Sequence, residues 1–208
     1  MAERFSLFGN PITEAQDRRA LKWQQRFIDE FDYRPGESYD LSAVDNPQLG
    51  DVLGIRDVVR DGGGDPIDPS TSVICATVRM GFGHYRIAMA GASAARSMGY
   101  TPLWLDLLSI DGIAKDVINW WNTNYSKYSR LSQRSELFNK YVWESVTTGD
   151  RTLPGLWWAL NRSATGWPWR FQKANARDYR MSELFADLHR SLPQDTPLLG
   201  AHRWNTMG

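Results

Sequence analysis

One cysteine, no long apolar run and no net charge set this sequence apart by what it lacks. Cys75 is the single thiol of 208 residues. It permits no intrachain disulfide and no cysteine-based zinc site, and it points to a reducing compartment. It lies inside an apolar stretch, where a small buried hydrophobe is the expected role. No apolar run approaches the roughly 20 residues that a membrane-spanning helix needs. Met1-Ala2-Glu3-Arg4-Phe5 lacks the basic-then-apolar pattern of a secretory leader. The 24 Lys and Arg balance 24 Asp and Glu, so there is no general electrostatic case for nucleic acid. These absences predict a cytoplasmic chain. No repeat or low-complexity segment occurs, and neither a metal nor a cofactor is expected.

Tryptophan, by contrast, is abundant. Eight of the ten lie at or beyond Trp120. The adjacent pairs Trp120-Trp121 and Trp157-Trp158 cannot share one helix face. Packing in the core or between layers is the expected role. A lipid-facing surface, giving peripheral membrane contact, is the functional alternative.

The chain divides into residues 1–69, a helical N-terminal extension and linker, and residues 70–208, a Rossmann-like domain with a helical insert at 110–192. In the first part Thr13 caps a helix through Ala20, Trp23, Phe27, Ile28 and Phe31. Residues 36–50 are polar and turn-rich. Leu49 to Val59 is ambiguous, with a short helix as one reading, and Asp61 to Pro66 is a loop. In the insert, Asp111 is positioned to cap a long helix through Val117, Ile118, Trp120 and Trp121. A second helix is expected from Ser135 to Thr147 and a third from Pro154, before a break at Gly166-Trp167-Pro168-Trp169. Ser182 is positioned to cap Glu183 to Leu192. Thr196 to Ala201 reads as a third strand.

The domain is organised around residues 70–108. Val73 to Val78 is a β-branched run suited to a buried parallel strand. Gly81-Phe82-Gly83-His84 reads as a tight turn. A helix of small residues follows from Tyr85 to Met98, with Ile87, Ala90 or Gly91, Ala94 and Met98 on the face expected to meet the sheet. Gly99 ends it, and Leu103 to Leu108 is the next apolar run. Strand, turn, helix and strand make a βαβ unit, hence α/β architecture with a parallel sheet. Three strands leave such a sheet short, so a fragment or a domain completed by a partner is expected.

The turn is where chemistry would sit. Amides at a helix N-terminus favour anions. His84 can act as a base near neutral pH; residue type alone favours a histidine that merely satisfies a turn, and its place beyond a strand's C-terminal end brings the two readings level. Arg79 and Arg86 flank the turn and can meet a phosphate or carboxylate. Asp106 ends the second strand, with an ion pair or cap as the simpler role. The dinucleotide fingerprint G-x-G-x-x-G starts at Gly81 and Gly83 but fails at Arg86, which disfavours an NAD-dependent oxidoreductase, and no P-loop is present.

Val78-Arg79-Met80-Gly81-Phe82-Gly83-His84, the alanine-rich helix after it and then Gly99-Tyr100-Thr101-Pro102 resemble the opening of a GT-B glycosyltransferase. The resemblance is nearest to the monogalactosyldiacylglycerol synthase and MurG-like group, and it covers residues 73–108. It implies the N-terminal, acceptor-side domain of an enzyme that moves a sugar from a nucleotide sugar to a hydroxyl, with a lipid among the candidate acceptors. It implies His84 as the base, Gly81, Phe82 and Gly83 beside the donor phosphates, and His202 lining the acceptor cleft. Arg79 and Asp106 complete the expected substrate-binding set. No second Rossmann domain follows, so the resemblance also implies a missing or separate C-terminal domain that holds the donor. The reading set against it is a non-catalytic Rossmann-like module or scaffold that binds a nucleotide or another anion.

Overall fold

A computed structural model describes residues 6–7, 10–60, 62–79, 82–140, 176–177, 179–202 and 205. Strands β1 (Ser6–Leu7) and β2 (Asn10–Pro11) form a short antiparallel ribbon. Helix α1 (Glu14–Glu30) starts at Thr13 as expected. The Thr13 hydroxyl accepts from Gln16 N, and the Gln16 side chain accepts from Thr13 N, which satisfies two end donors reciprocally.

Five strands make the main sheet: β3 (Leu41–Asp45), β4 (Arg56–Arg60), β5 (Ser72–Thr77), β6 (Thr101–Asp106) and β7 (Leu198–Gly200). Their spatial order is β3-β4-β6-β5-β7. Only the β3–β4 pair is antiparallel. Helix α2 (Gly50–Leu53) joins β3 to β4, and α3 (Phe82–Ser97) joins β5 to β6. After β6 come α4 (Ile113–Arg134) and α5 (Glu136–Phe138). A single 3-10 turn at Glu183–Phe185 then leads into α6 (Ala186–Ser191). The result is a Rossmann-like α/β fold with a mostly parallel sheet.

Strand pleating sorts the core. Every residue of β5 is buried, because both sheet faces are covered. Ile74, Ala76, Leu103 and Leu105 point to one face, where they meet Phe27 of α1, Val117 and Ile118 of α4, and Leu184, Phe185 and Leu188. Val73, Cys75 and Trp104 point to the other, against Ala88, Ala92 and Ala95 of α3. Trp120 and Trp121 pack on the first cluster, and Trp120 meets Phe27 edge-on at 5.1 Å. The described tryptophans of β6 and α4 therefore follow the packing expectation.

Several local expectations are corrected. Phe82, Gly83 and His84 form the first turn of α3 rather than the turn before it. The helix face is also displaced: Ala88, Ala92 and Ala95 are buried, whereas Ile87 is 58 % and Met98 72 % exposed. Alanines let the helix approach the sheet closely, and a shift of one residue turns a helix face by about 100°. Residues 41–60 contribute two strands, one in the stretch expected to be polar turns and one after the short helix Gly50–Leu53 that the Leu49–Val59 reading allowed, so the sheet has five strands instead of three. Asp111 does not cap α4. Its carboxylate pairs with Lys115 Nζ at 2.5 Å, and Gly112 takes the cap position with φ +147°. A Cβ there would run into the Tyr39 ring, with Cε1 at 3.0 Å. Ser182 donates its hydroxyl to Tyr179 O and caps nothing. Gly99 does close α3, at φ +89°.

Gly81 lies outside the described residues. So do the Ser135–Thr147 expectation beyond residue 140, the helix from Pro154, and the break at Gly166–Trp169. Among the described residues no helix is long and apolar enough to cross a membrane.

Candidate functional site

The strand order creates one topological switch point. From β5 the chain crosses through α3 to β6 on one side, whereas β7 pairs with β5 on the other. In open α/β sheets the crevice beyond the C-terminal strand ends at such a point is where ligands bind. Here it is bounded by the residues after Thr77, by Ala201 and His202, and by the first turn of α3.

His84 is the third residue of α3, and its Nδ1 lies 2.9 Å from Ala201 O. A carbonyl oxygen only accepts, so Nδ1 carries the proton and the neutral ring keeps its lone pair on Nε2. The His202 ring stands edge-on to it, with centroids 5.1 Å apart. Two histidines singled out from sequence are thus neighbours across the switch point. Among the described residues a Cβ built on Gly83 would meet nothing within 4 Å, and Phe82 is 85 % exposed.

The exit of β5 is tied to the exit of β6. The Arg79 guanidinium donates from Nε to Asp106 Oδ2. Asp106 Oδ1 accepts from Leu108 N at 2.9 Å. Both carboxylate oxygens of this buried residue are therefore engaged, and Asp106 acts through Arg79, whose side chain is 57 % exposed. Asn122 of α4 donates to Arg79 O at 3.1 Å. Arg86 is an exposed helix position.

Two residues that the sequence reading missed hold the β7 side. Asn205 is fully buried. Its Oδ1 accepts from His202 N at 2.9 Å, and its Nδ2 donates to Thr77 O at 3.3 Å. Its own carbonyl accepts from His189 Nε2 at 2.9 Å. Burial holds the His189 pKa below the ordinary histidine value. All three histidines of the chain thereby gather at one end of the sheet. An isolated Asn near the end of the chain and a His within an amphipathic helix carry no local signal that would have revealed this.

Cys75 is fully buried, and burial pushes its thiol up to about 11, which leaves no thiolate for chemistry at neutral pH. Among the described residues no three His, Cys, Asp or Glu side chains are grouped to hold a metal. Among the described residues, the cavities elsewhere include one of about 650 Å³ along α4 and one of about 500 Å³ between residues 31–37 and the start of α4.

Over residues 6–208 the sequence matches a family described as a domain of unknown function (DUF6937). No curated protein and no solved structure matches it.

Proposed function

The chain belongs to the DUF6937 domain family, and we propose that the crevice beyond β5 and β7 is the acceptor side of a glycosyl-transfer site of the GT-B kind. The observation that carries this reading is the His84 tautomer: with Nδ1–H donated to Ala201 O at 2.9 Å, Nε2 is left as a proton acceptor beside the N-terminus of α3. In the proposed reaction an acceptor hydroxyl gives its proton to His84 Nε2 as its oxygen attacks the anomeric carbon of a nucleotide sugar. The sugar–phosphate bond breaks, and the nucleotide leaves with the electron pair on phosphate. Amides of the first turn of α3 and the exposed Arg79 favour that growing negative charge. Asp106 positions Arg79, and His202 shapes the wall next to the base. The nucleotide is held largely by a C-terminal domain, separate from residues 70–208. The acceptor is a hydroxyl compound, with a lipid as one candidate, and peripheral membrane contact belongs to the same proposal.

The test is a transfer assay with labelled nucleotide sugars and a panel of hydroxyl and lipid acceptors, using the whole protein. His84→Ala is expected to lower transfer by about 100-fold or more with an unchanged circular dichroism spectrum. Equal transfer by His84→Ala would remove the base. Nucleotide-sugar binding with no transfer to any acceptor would favour the non-catalytic module.

A further inference from the structure

Charge is unevenly shared along this neutral chain. From Arg18 to Ile28 there are four cations, Arg18, Arg19, Lys22 and Arg26, and no Asp or Glu. Residues 29–68 hold 11 Asp and Glu against three Arg, so the overall balance conceals a basic strip on α1. Glu14 and Asp17 precede the strip, and Asp29 and Glu30 follow it. Gln16, Ala20, Gln24 and Phe27 hold the opposite side of the helix in the interior, which leaves the cations on the outward side, spread over about 12 Å at 1.5 Å per residue. All four are exposed. Arg26 is committed: it pairs with Glu30 at 3.4 Å and lies over the Trp23 and Trp120 rings at 5.5 and 5.6 Å. Arg18, Arg19 and Lys22 have no ion-pair partner among the described residues. Leu21, 43 % exposed, and Trp23, 39 % exposed, border the strip on either side of the helix.

We propose that this face of α1 rests on an anionic membrane surface. Each Lys or Arg held against an anionic leaflet strengthens adsorption by roughly fivefold, so three give a weak contact that salt screens. Leu21 and Trp23 beside them suit the headgroup zone, where apolar and amphipathic side chains sit among charges. A soluble polyanion would engage the cations alone and leave both side chains in water. The helix meets the surface as part of the fold, because its inner side is tied down. Gln24 donates to Glu183 Oε2 at 2.6 Å, and Asp17 pairs with Arg180 at 2.6 Å. In purpose the inference rests on the reading of a lipid as the acceptor in glycosyl transfer. The adsorption itself uses neither His84 nor His202, so the two fail separately.

Sedimentation of the full chain with vesicles tests it, using pure phosphatidylcholine against equal parts phosphatidylcholine and phosphatidylglycerol. Binding to the mixed vesicles alone is expected, falling as salt rises. The double variant Arg18→Glu/Lys22→Glu should bind roughly tenfold or more weakly, and Arg19→Gln, the milder variant should the double one fold poorly, about fivefold. Leu21→Ser leaves the charge unchanged and is expected to weaken binding about threefold. The same charge change on α4, Lys127→Glu/Arg130→Glu, should have little effect, and His84→Ala should bind as the parent does. No binding to the mixed vesicles, or an equal loss in the α4 double variant, would overturn the proposal. Binding to heparin that is as tight, with Leu21→Ser without effect on the vesicles, would overturn it in favour of a soluble polyanion. Adsorption without any sugar transfer would leave it standing and count against the transfer reading alone.

Discussion

His84 and Ala201 stand 117 residues apart in the chain and are joined by a 2.9 Å hydrogen bond. The bond ties the first turn of α3 to the end of β7, and it follows from the sheet register. Ile74 pairs with Leu198 and Ala76 with Gly200, and the ladder continues one step further, with Ala201 N donating to Ala76 O at 2.9 Å. The carbonyl of Ala201 is then free to face the helix that leaves β5. A histidine placed three residues into that helix reaches it, and one ring nitrogen is committed to structure while the other stays available.

Asn205 is what keeps the end of β7 in place. Replacing it by alanine removes the acceptor for His202 N and the donor to Thr77 O, inside a fully buried position. Asn205→Ala is expected to cost about 1–3 kcal/mol, measured as a lower urea midpoint with an unchanged slope. The ring resonances of His84 and His202 should shift as well. An unchanged midpoint would mean that other contacts hold the segment.

The packing of α3 gives a sharper test, because two readings of one helix predict opposite outcomes. Ala92 is fully buried and faces the sheet, whereas Ile87 is 58 % exposed. Ala92→Leu is expected to destabilise by about 1–3 kcal/mol through overpacking. Ile87→Ser should stay within about 0.5 kcal/mol of the parent. Thermal melts of the two variants decide it. The reverse ranking would restore Ile87, Ala94 and Met98 as the inner face.

The contrast explains what could be read from residues alone. Thr13, Gly99 and the β5 run were legible because caps, glycine turns and apolar runs are local signals, whereas the contact of His84 with His202 is made only by the folded sheet. The inner face of α3 was not, because a helix of alanines has no strong apolar side and the sheet selects the smallest residues over the largest. Leu41-Ser42-Ala43-Val44-Asp45 is short and mixed, and it becomes a strand through its antiparallel partner β4. Asn205 and His189 act through contacts that only the folded chain assembles.

Asp187 is a buried carboxylate, 1 % exposed, that holds the segment after α1. It accepts from Tyr33 Oη at 2.6 Å, Gly36 N at 2.8 Å and Glu37 N at 3.1 Å, and it pairs with Arg190. Burial alone would raise its pKa, but the hydrogen bonds from Tyr33, Gly36, Arg190 and Glu37 outweigh this and hold it below the ordinary carboxylate value. The unfolded chain then binds the proton first. The contribution of Asp187 is complete above pH about 4 and is lost as pH falls through the depressed folded-state value. Asp187→Ala is expected to cost about 2–4 kcal/mol at pH 7, with a smaller loss below pH 3, measured by denaturant melts at both pH values.

His189 sets a second, milder acid limit closer to neutrality. Its Nε2 donates to Asn205 O at 2.9 Å, and its Nδ1 is buried with no hydrogen-bond partner among the described residues. Charging the ring would place a second N–H where no described group accepts it, and burial lowers its pKa. Because the folded value lies below the unfolded one, about 6.5, the unfolded chain takes up the proton first. Stability is therefore full above that pH and declines as pH falls from it toward the folded value, where the decline levels off. Denaturant melts between pH 8 and pH 5 should show this slope in the parent and a flatter one in His189→Gln, which has no proton to gain. Parallel slopes would place the pH-sensitive group elsewhere.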